Sequence, residues 1–133
     1  MKVWFLLIAL CLGVTSSSWA QRIYDASGRL IGKVSNDRFF DASGRLLGRT
    51  DGQRVYDASG RLKGSLRDNR LYDNHGRLLG STRDNRLFDA SGRLEGSIRN
   101  QRMYDASGRL LGRYEGLEIG ELVLFWWFFR ASG

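Results

Sequence analysis

A sixteen-residue period runs through this chain without insertion, with copies starting at Arg22, Arg38, Arg54, Arg70, Arg86 and Arg102. A repeated supersecondary unit cannot bury its apolar face alone, so the copies must pack on one another. Within a copy the order is Arg, an apolar residue, an aromatic, Asp, Ala or Asn, Ser or His, Gly, Arg, Leu, a variable residue and Gly. Five looser, polar-leaning positions follow. Arg22-Ile23-Tyr24 and Leu30–Val34 read as short strands on either side of Asp25-Ala26-Ser27-Gly28. The aspartate is suited to accept backbone N–H bonds from two and three residues on, and Gly28 to take the positive φ that ends a type I turn in a bulged hairpin. Asp51-Gly52, Asp68-Asn69 and Asp84-Asn85 between copies are turn formers too. The expectation is an antiparallel meander of twelve strands.

Alternation along a strand sends Leu30, Gly32 and Val34 to one face and Arg29, Ile31 and Lys33 to the other. The copies equivalent to Ile31 carry Lys63 and Glu95, which are costly to bury, so the second face is assigned to water. The core then holds a ring of leucines (Leu30, Leu46, Leu62, Leu78, Leu94, Leu110) and a ring of glycines (Gly32, Gly48, Gly64, Gly80, Gly96, Gly112) that leaves space at its centre. Ile23 points inward, and the aromatic after it packs outside against arginine stems. An open sheet of this length would have two unpaired edges, so closure into a barrel is the economical arrangement.

Both chain ends depart from the repeat. Residues 1–20 have the layout of a secretory signal peptide: Lys2, an apolar stretch Val3–Val14, and small residues Ser18 and Ala20 before a cleavage point that leaves Gln21 first. The expectation is export, to the periplasm, the envelope or the exterior. Cys11 lies within that segment, so the remainder has no thiol for a disulfide. Residues 21–116 form the repeat domain. Residues 117–133 contain the run Leu122–Phe129, apolar on all sides, as suits a helix enclosed by protein. Such a helix is too short to cross a bilayer and about right to thread a shallow barrel. Leu122, Phe125, Trp126, Trp127, Phe128 and Phe129 are the candidate plug, or in the rival reading a tail that dips into membrane or a partner.

The Tyr-Asp-Ala-Ser-Gly-Arg-Leu-x-Gly unit and the Leu-Val-Leu-Phe-Trp-Trp-Phe-Phe run resemble the bacterial β-flower proteins over Arg22 to Phe129. That resemblance implies a small symmetric barrel of hairpins with an apolar centre. Its shape is similar to Tubby-like C-terminal domains, which by analogy implies a membrane-lipid role. β-Flowers are described as four-fold or five-fold, whereas this chain has six copies. The Tyr-Asp-x-x-Gly-Arg-Leu core also resembles the YD repeats of Rhs-type proteins, as local hairpin similarity. The fold class expected is therefore all-β: six 16-residue hairpin repeats in a closed twelve-strand barrel, a β-flower, around a hydrophobic C-terminal helix.

Beyond residue 20 the net charge is +6, carried almost wholly by arginine, with Lys33 and Lys63 the lysines. Such a surface attracts anionic lipid or polymer. The candidate contacts are Arg29, Arg45, Arg61, Arg77, Arg93 and Arg109, although their fixed spacing from aspartates equally fits a paired structural lattice. His75 is the single histidine and stands where other copies have serine. With no second ligand or base beside it, no metal or catalytic role is assigned. The turn aspartates read as caps rather than calcium ligands, and the turn serines lack a histidine base in their own copies. No phosphate loop, dinucleotide fingerprint or cysteine metal motif is present, so no cofactor and no specific nucleic acid are expected. Catalysis needs unlike groups converging on one point, which repetition disfavours. The reading is a non-enzymatic envelope or secreted structural or binding module, monomeric, contacting lipid or anionic polymer. The alternatives are an architectural protein-interaction domain and, last, an enzyme of unknown type.

Overall fold

The computed structural model describes residues 21–129. The signal-peptide assignment and Cys11 therefore lie outside the described residues. Twelve antiparallel strands run from β1 (Arg22–Asp25) and β2 (Leu30–Ser35) through to β11 (Arg102–Asp105) and β12 (Leu110–Glu115). Each pairs with its sequence neighbours, and β1 pairs with β12 to close a barrel. At the seam Ile23 faces Tyr114 and Asp25 faces Gly112, in the same register that sets Asp41 against Gly32 within the wall.

The two ends of the barrel are built from different turns. At one end, the tip, each Asp-x-Ser-Gly-Arg turn is organised by its aspartate. Asp25 Oδ1 accepts from Ser27 N–H (3.0 Å), Ser27 Oγ–H (2.7 Å) and Arg29 N–H (2.9 Å). The acceptor pattern is thus two and four residues on, not two and three. Gly28 closes the turn at φ 91°. At the other end, the link end, Asn36-Asp37, Asp68-Asn69, Asp84-Asn85 and Asn100-Gln101 all have positive φ at both residues, the signature of two-residue type I′ hairpins.

The leucine ring is not core. A β-bulge interrupts each hairpin just past the tip: Tyr24 pairs with Leu30 and Ile23 with Gly32, leaving Ile31 as the extra residue. The bulge slips the alternation by one place. Leu30 and its equivalents move outside beside the aromatics, where Leu46 to Leu110 are 37–42% exposed. The Ile31 position turns toward the interior instead, and Ile31, Leu47, Leu79 and Leu111 pack against the core. Lys63 and Glu95 are accommodated because this position sits at the tip mouth: Glu95 is exposed, and Lys63 Nζ lies 5.5 Å from the Phe129 ring centroid. The second position of each copy, Ile23, Phe39, Val55, Leu71, Leu87 and Met103, is buried in the wall's inner face, as are Val34, Thr50, Ile98 and Tyr114 toward the link end.

After β12 the chain turns into the barrel. Helix α1 (Ile119–Leu124) starts at the link end, where the Glu121 carboxylate accepts from Glu118 N–H at 3.1 Å. It continues as a π-helical segment, Phe125–Phe129. No helix among the described residues is long and apolar enough to cross a membrane.

The glycine ring explains how five consecutive aromatics fit inside. Phe125 lies against Gly32, Trp126 against Gly96, Trp127 against Gly80, Phe128 against Gly64 and Phe129 against Gly48. A Cβ on any of these glycines would fall 2.5–2.9 Å from a ring carbon. From Phe125 to Phe129 the side chains sweep five of six ring positions in four steps, about 75° per residue, whereas an α-helix turns ~100°. The wider i→i+5 coil turns less per residue, which matches the aromatics to the wall.

Candidate functional site

Charge is distributed unequally between the two ends. At the tip, Arg29, Arg45, Arg61, Arg77, Arg93 and Arg109 form a crown, each with its Nε 3.0–3.9 Å from Oδ2 of the aspartate four residues earlier. These guanidinium side chains are strongly exposed, and their Nη groups have no protein partner among the described residues. The aspartates titrate below the ordinary carboxylate range, in five of the six turns mainly through the serine hydroxyl and then the arginine backbone N–H and at Asp73 mainly through the Arg77 backbone N–H, and Asp105 falls to about 2. Each Asp–Arg pair is neutral overall, and Lys63 cancels Glu95.

Toward the link end stand eleven further arginines and Lys33, against seven acidic residues: Asp37, Asp51, Asp68, Asp84, Glu115, Glu118 and Glu121. The excess of five positive charges on the described residues therefore lies in this half. Cross-strand register sets like charges opposite each other: Arg67 with Arg70, Arg83 with Arg86, Arg99 with Arg102, and Arg102 again with Arg113. Such pairs destabilise a sheet. Part of that cost is offset by stacking, since Arg113, Arg49, Arg99, Arg67 and Arg83 lie 4.1–5.4 Å from the ring centroids of Tyr24, Tyr56, Tyr104, Tyr72 and Phe88. Arg113 also meets Glu115 at 3.1 Å. A groove of about 470 Å³ on the outer wall has Arg86, Phe88, Leu94, Ser97 and Arg99 on its lining, together with the acidic Asp84 and Asp105. This link-half arginine belt, built from the first position of each copy and a late strand position, was missed by reading the sequence, which favoured the crown. The absence of an aspartate four residues before these arginines was the available signal.

The candidate plug residues Leu122, Phe125, Trp126 and Phe129 are buried inside the barrel, and Trp127 and Phe128 are partly buried there. At the tip mouth a cleft of about 840 Å³ opens between Ile31, Leu47, Met103 and Leu111 of the wall and Phe125, Trp126 and Phe129 of the helix, with Arg29 and Arg45 at its rim. His75 is an exposed turn residue whose backbone N–H donates to Asp73 Oδ1 at 2.8 Å. The turn serines each donate their hydroxyl to an aspartate, as Ser107 does to Asp105. Among the described residues no three His, Cys, Asp or Glu side chains are grouped to hold a metal.

The family model described as 5-fold beta-flower protein matches residues 20–130, so the chain belongs to that family. No curated protein and no solved structure matches it.

Proposed function

We propose that this β-flower protein is a non-enzymatic binding module of the cell envelope or exterior that holds anionic lipid or anionic polymer on its arginine-bearing wall. We read the wall as six equivalent 16-residue units, one more than the family's description, and residues 1–20 as the export signal. The observation that carries the reading is the row of opposed arginines in the link half. Like charges set across a sheet cost stability, and an anion lying between them removes that cost. Beside this row a groove offers Arg86, Arg99 and Ser97 as donors to an anion, with Asp84 and Asp105 also on its lining.

The test is co-sedimentation of the purified protein with vesicles containing phosphatidylglycerol, and retention on a carboxylated polysaccharide, at rising salt. Binding is expected to weaken steeply with ionic strength. Replacing Arg86, Arg99 and Arg102 by glutamine should remove about 1 kcal/mol per charge at a lipid surface, a loss of about 100-fold. Absence of binding to either anion at low salt would reject this function in favour of a protein-interaction role.

A further inference from the structure

Five aromatics serve six ring positions, and the position left over is Gly112. The three atoms nearest to a Cβ on Gly112 would be the Tyr24 carbonyl oxygen, Asp25 Cα at 3.2 Å and the Met103 methyl at 3.2 Å, whereas at each of the other five ring glycines a ring carbon of the π-helical segment is among the three nearest. The gap falls where the helix skips a place, between Phe125 on Gly32 and Trp126 on Gly96. The tip cleft opens in this sector, with Met103 and Leu111 on one side and Phe125 and Trp126 beside it. Wall composition reinforces the asymmetry. At the bulge position the gap's own copy carries Leu111 and the next two copies on one side carry Ile31 and Leu47, while Glu95 flanks the gap on the other side and Lys63 stands farther round the rim.

We infer that this cleft is a binding site for a single-chain carboxylate amphiphile, a free fatty acid, with its alkyl tail in the uncovered sector and its carboxylate on Arg29 and Arg45. A volume of about 840 Å³ is within the usual range for small-molecule sites, ~300–1,000 Å³. Its lining is mostly aliphatic and aromatic, and its polar members are the turn residues Asp25, Arg29, Asp41, Ser43 and Arg45 of two neighbouring tips. The head group's sign follows from hydrogen-bond accounting. Asp25 and Asp41 each spend Oδ1 on the turn and Oδ2 on an arginine. Arg29 and Arg45 use Nε for that contact and keep the Nη edges for a planar anion. This site is at the opposite end of the barrel from the link-half arginines, so it stands or falls independently of the envelope-anion reading.

The experiment is calorimetric titration of the purified protein with dodecanoate below its micelle concentration, with dodecanol as the headless control. Two substitutions are borrowed from sister copies that already tolerate them. Met103→Phe puts into the gap the residue found at Phe39, and Leu111→Glu puts at the cleft wall the residue found at Glu95. Saturable one-to-one binding of dodecanoate is expected, and each variant should lose affinity by at least ~10-fold because the tail's space is filled or charged. Arg29→Gln with Arg45→Gln should weaken dodecanoate and leave dodecanol unchanged. Circular dichroism and melting establish that each variant folds, and if Met103→Phe does not, Leu111→Glu carries the test. No saturable binding, binding indifferent to the folded wall variants, or association only with intact vesicles would overturn the assignment.

Discussion

Gly32→Ala tests whether the aromatic segment is seated on the glycine ring. In an ordinary strand this change is mildly favourable, because alanine has less backbone freedom to lose, by about 0.5–1 kcal/mol. Here the new methyl would lie 2.5 Å from two ring carbons of Phe125 and 3.2 Å from the Phe40 carbonyl oxygen. Overpacking of this kind costs about 1–3 kcal/mol, and the rigid ring puts the expected loss at about 2–3 kcal/mol. For a domain of this size the melting temperature should fall by about 10 °C. Phe125→Leu alone should cost about 1–2 kcal/mol through the space it leaves, less than complete truncation to alanine. The double variant places the methyl in that space, so its loss should be no greater than that of Phe125→Leu alone, a coupling of about 2 kcal/mol. Urea unfolding followed by circular dichroism and by Trp126 and Trp127 emission, on a chain beginning at Gln21, measures all four corners. Additivity to within about 0.5 kcal/mol would refute the packing argument, since residues in contact must couple.

The turn aspartates make the fold acid-sensitive. Asp105 is depressed from its ordinary 3.8 to about 2, and the other tip aspartates are lowered as well, so the unfolded chain binds protons that the folded one does not. Stability should be complete above about pH 4 and fall between about pH 4 and pH 2. Ser107→Ala should raise the Asp105 titration midpoint followed by carboxyl-carbon NMR, and an unmoved midpoint would count against the hydroxyl as the main cause. Arg102→Gln relieves repulsion from both Arg99 and Arg113, and should raise the unfolding free energy measured in urea by about a few tenths of a kcal/mol in low salt, with the gain shrinking as salt is added. A destabilised Arg102→Gln would mean these side chains support the wall rather than strain it.

Much of the architecture was legible because the period is uninterrupted and each turn carries its own chemistry. Asp25, Gly28 and the positive-φ link residues announce hairpins, and the recurrence of Gly32 with a late aromatic run announces an occupied interior. The leucines were misplaced because strict alternation was counted through Ile31, and a bulge at that residue reverses every assignment before it. Nothing in the composition of Leu30-Ile31-Gly32 marks the slip, whereas Lys63 and Glu95 at the mouth position suggested an outer face for a reason that holds only where walls are tall. The π-helical turn was illegible for a different cause. It follows from the angular spacing of wall glycines, which exists only after the ring has closed. The crown arginines were read from their repetition, while the opposed pairs Arg99–Arg102 and Arg102–Arg113 depend on register between strands.

The seam between β1 and β12 bears on how the molecule assembles. Every other strand pairing joins sequence neighbours through a turn of a few residues, so eleven of the twelve lateral contacts form locally and in any order. The seam instead brings Arg22 to Glu115. Closing so long a loop costs only about 1.5 kcal/mol more than closing one sixteen-residue hairpin, because the penalty grows with the logarithm of length. The one non-local pairing is thus the seam, and the strand that completes it is the one to which the aromatic segment is tethered. Ring closure and filling of the centre are thereby tied through Gly116–Glu118, the short link that joins the closing strand to the aromatic segment.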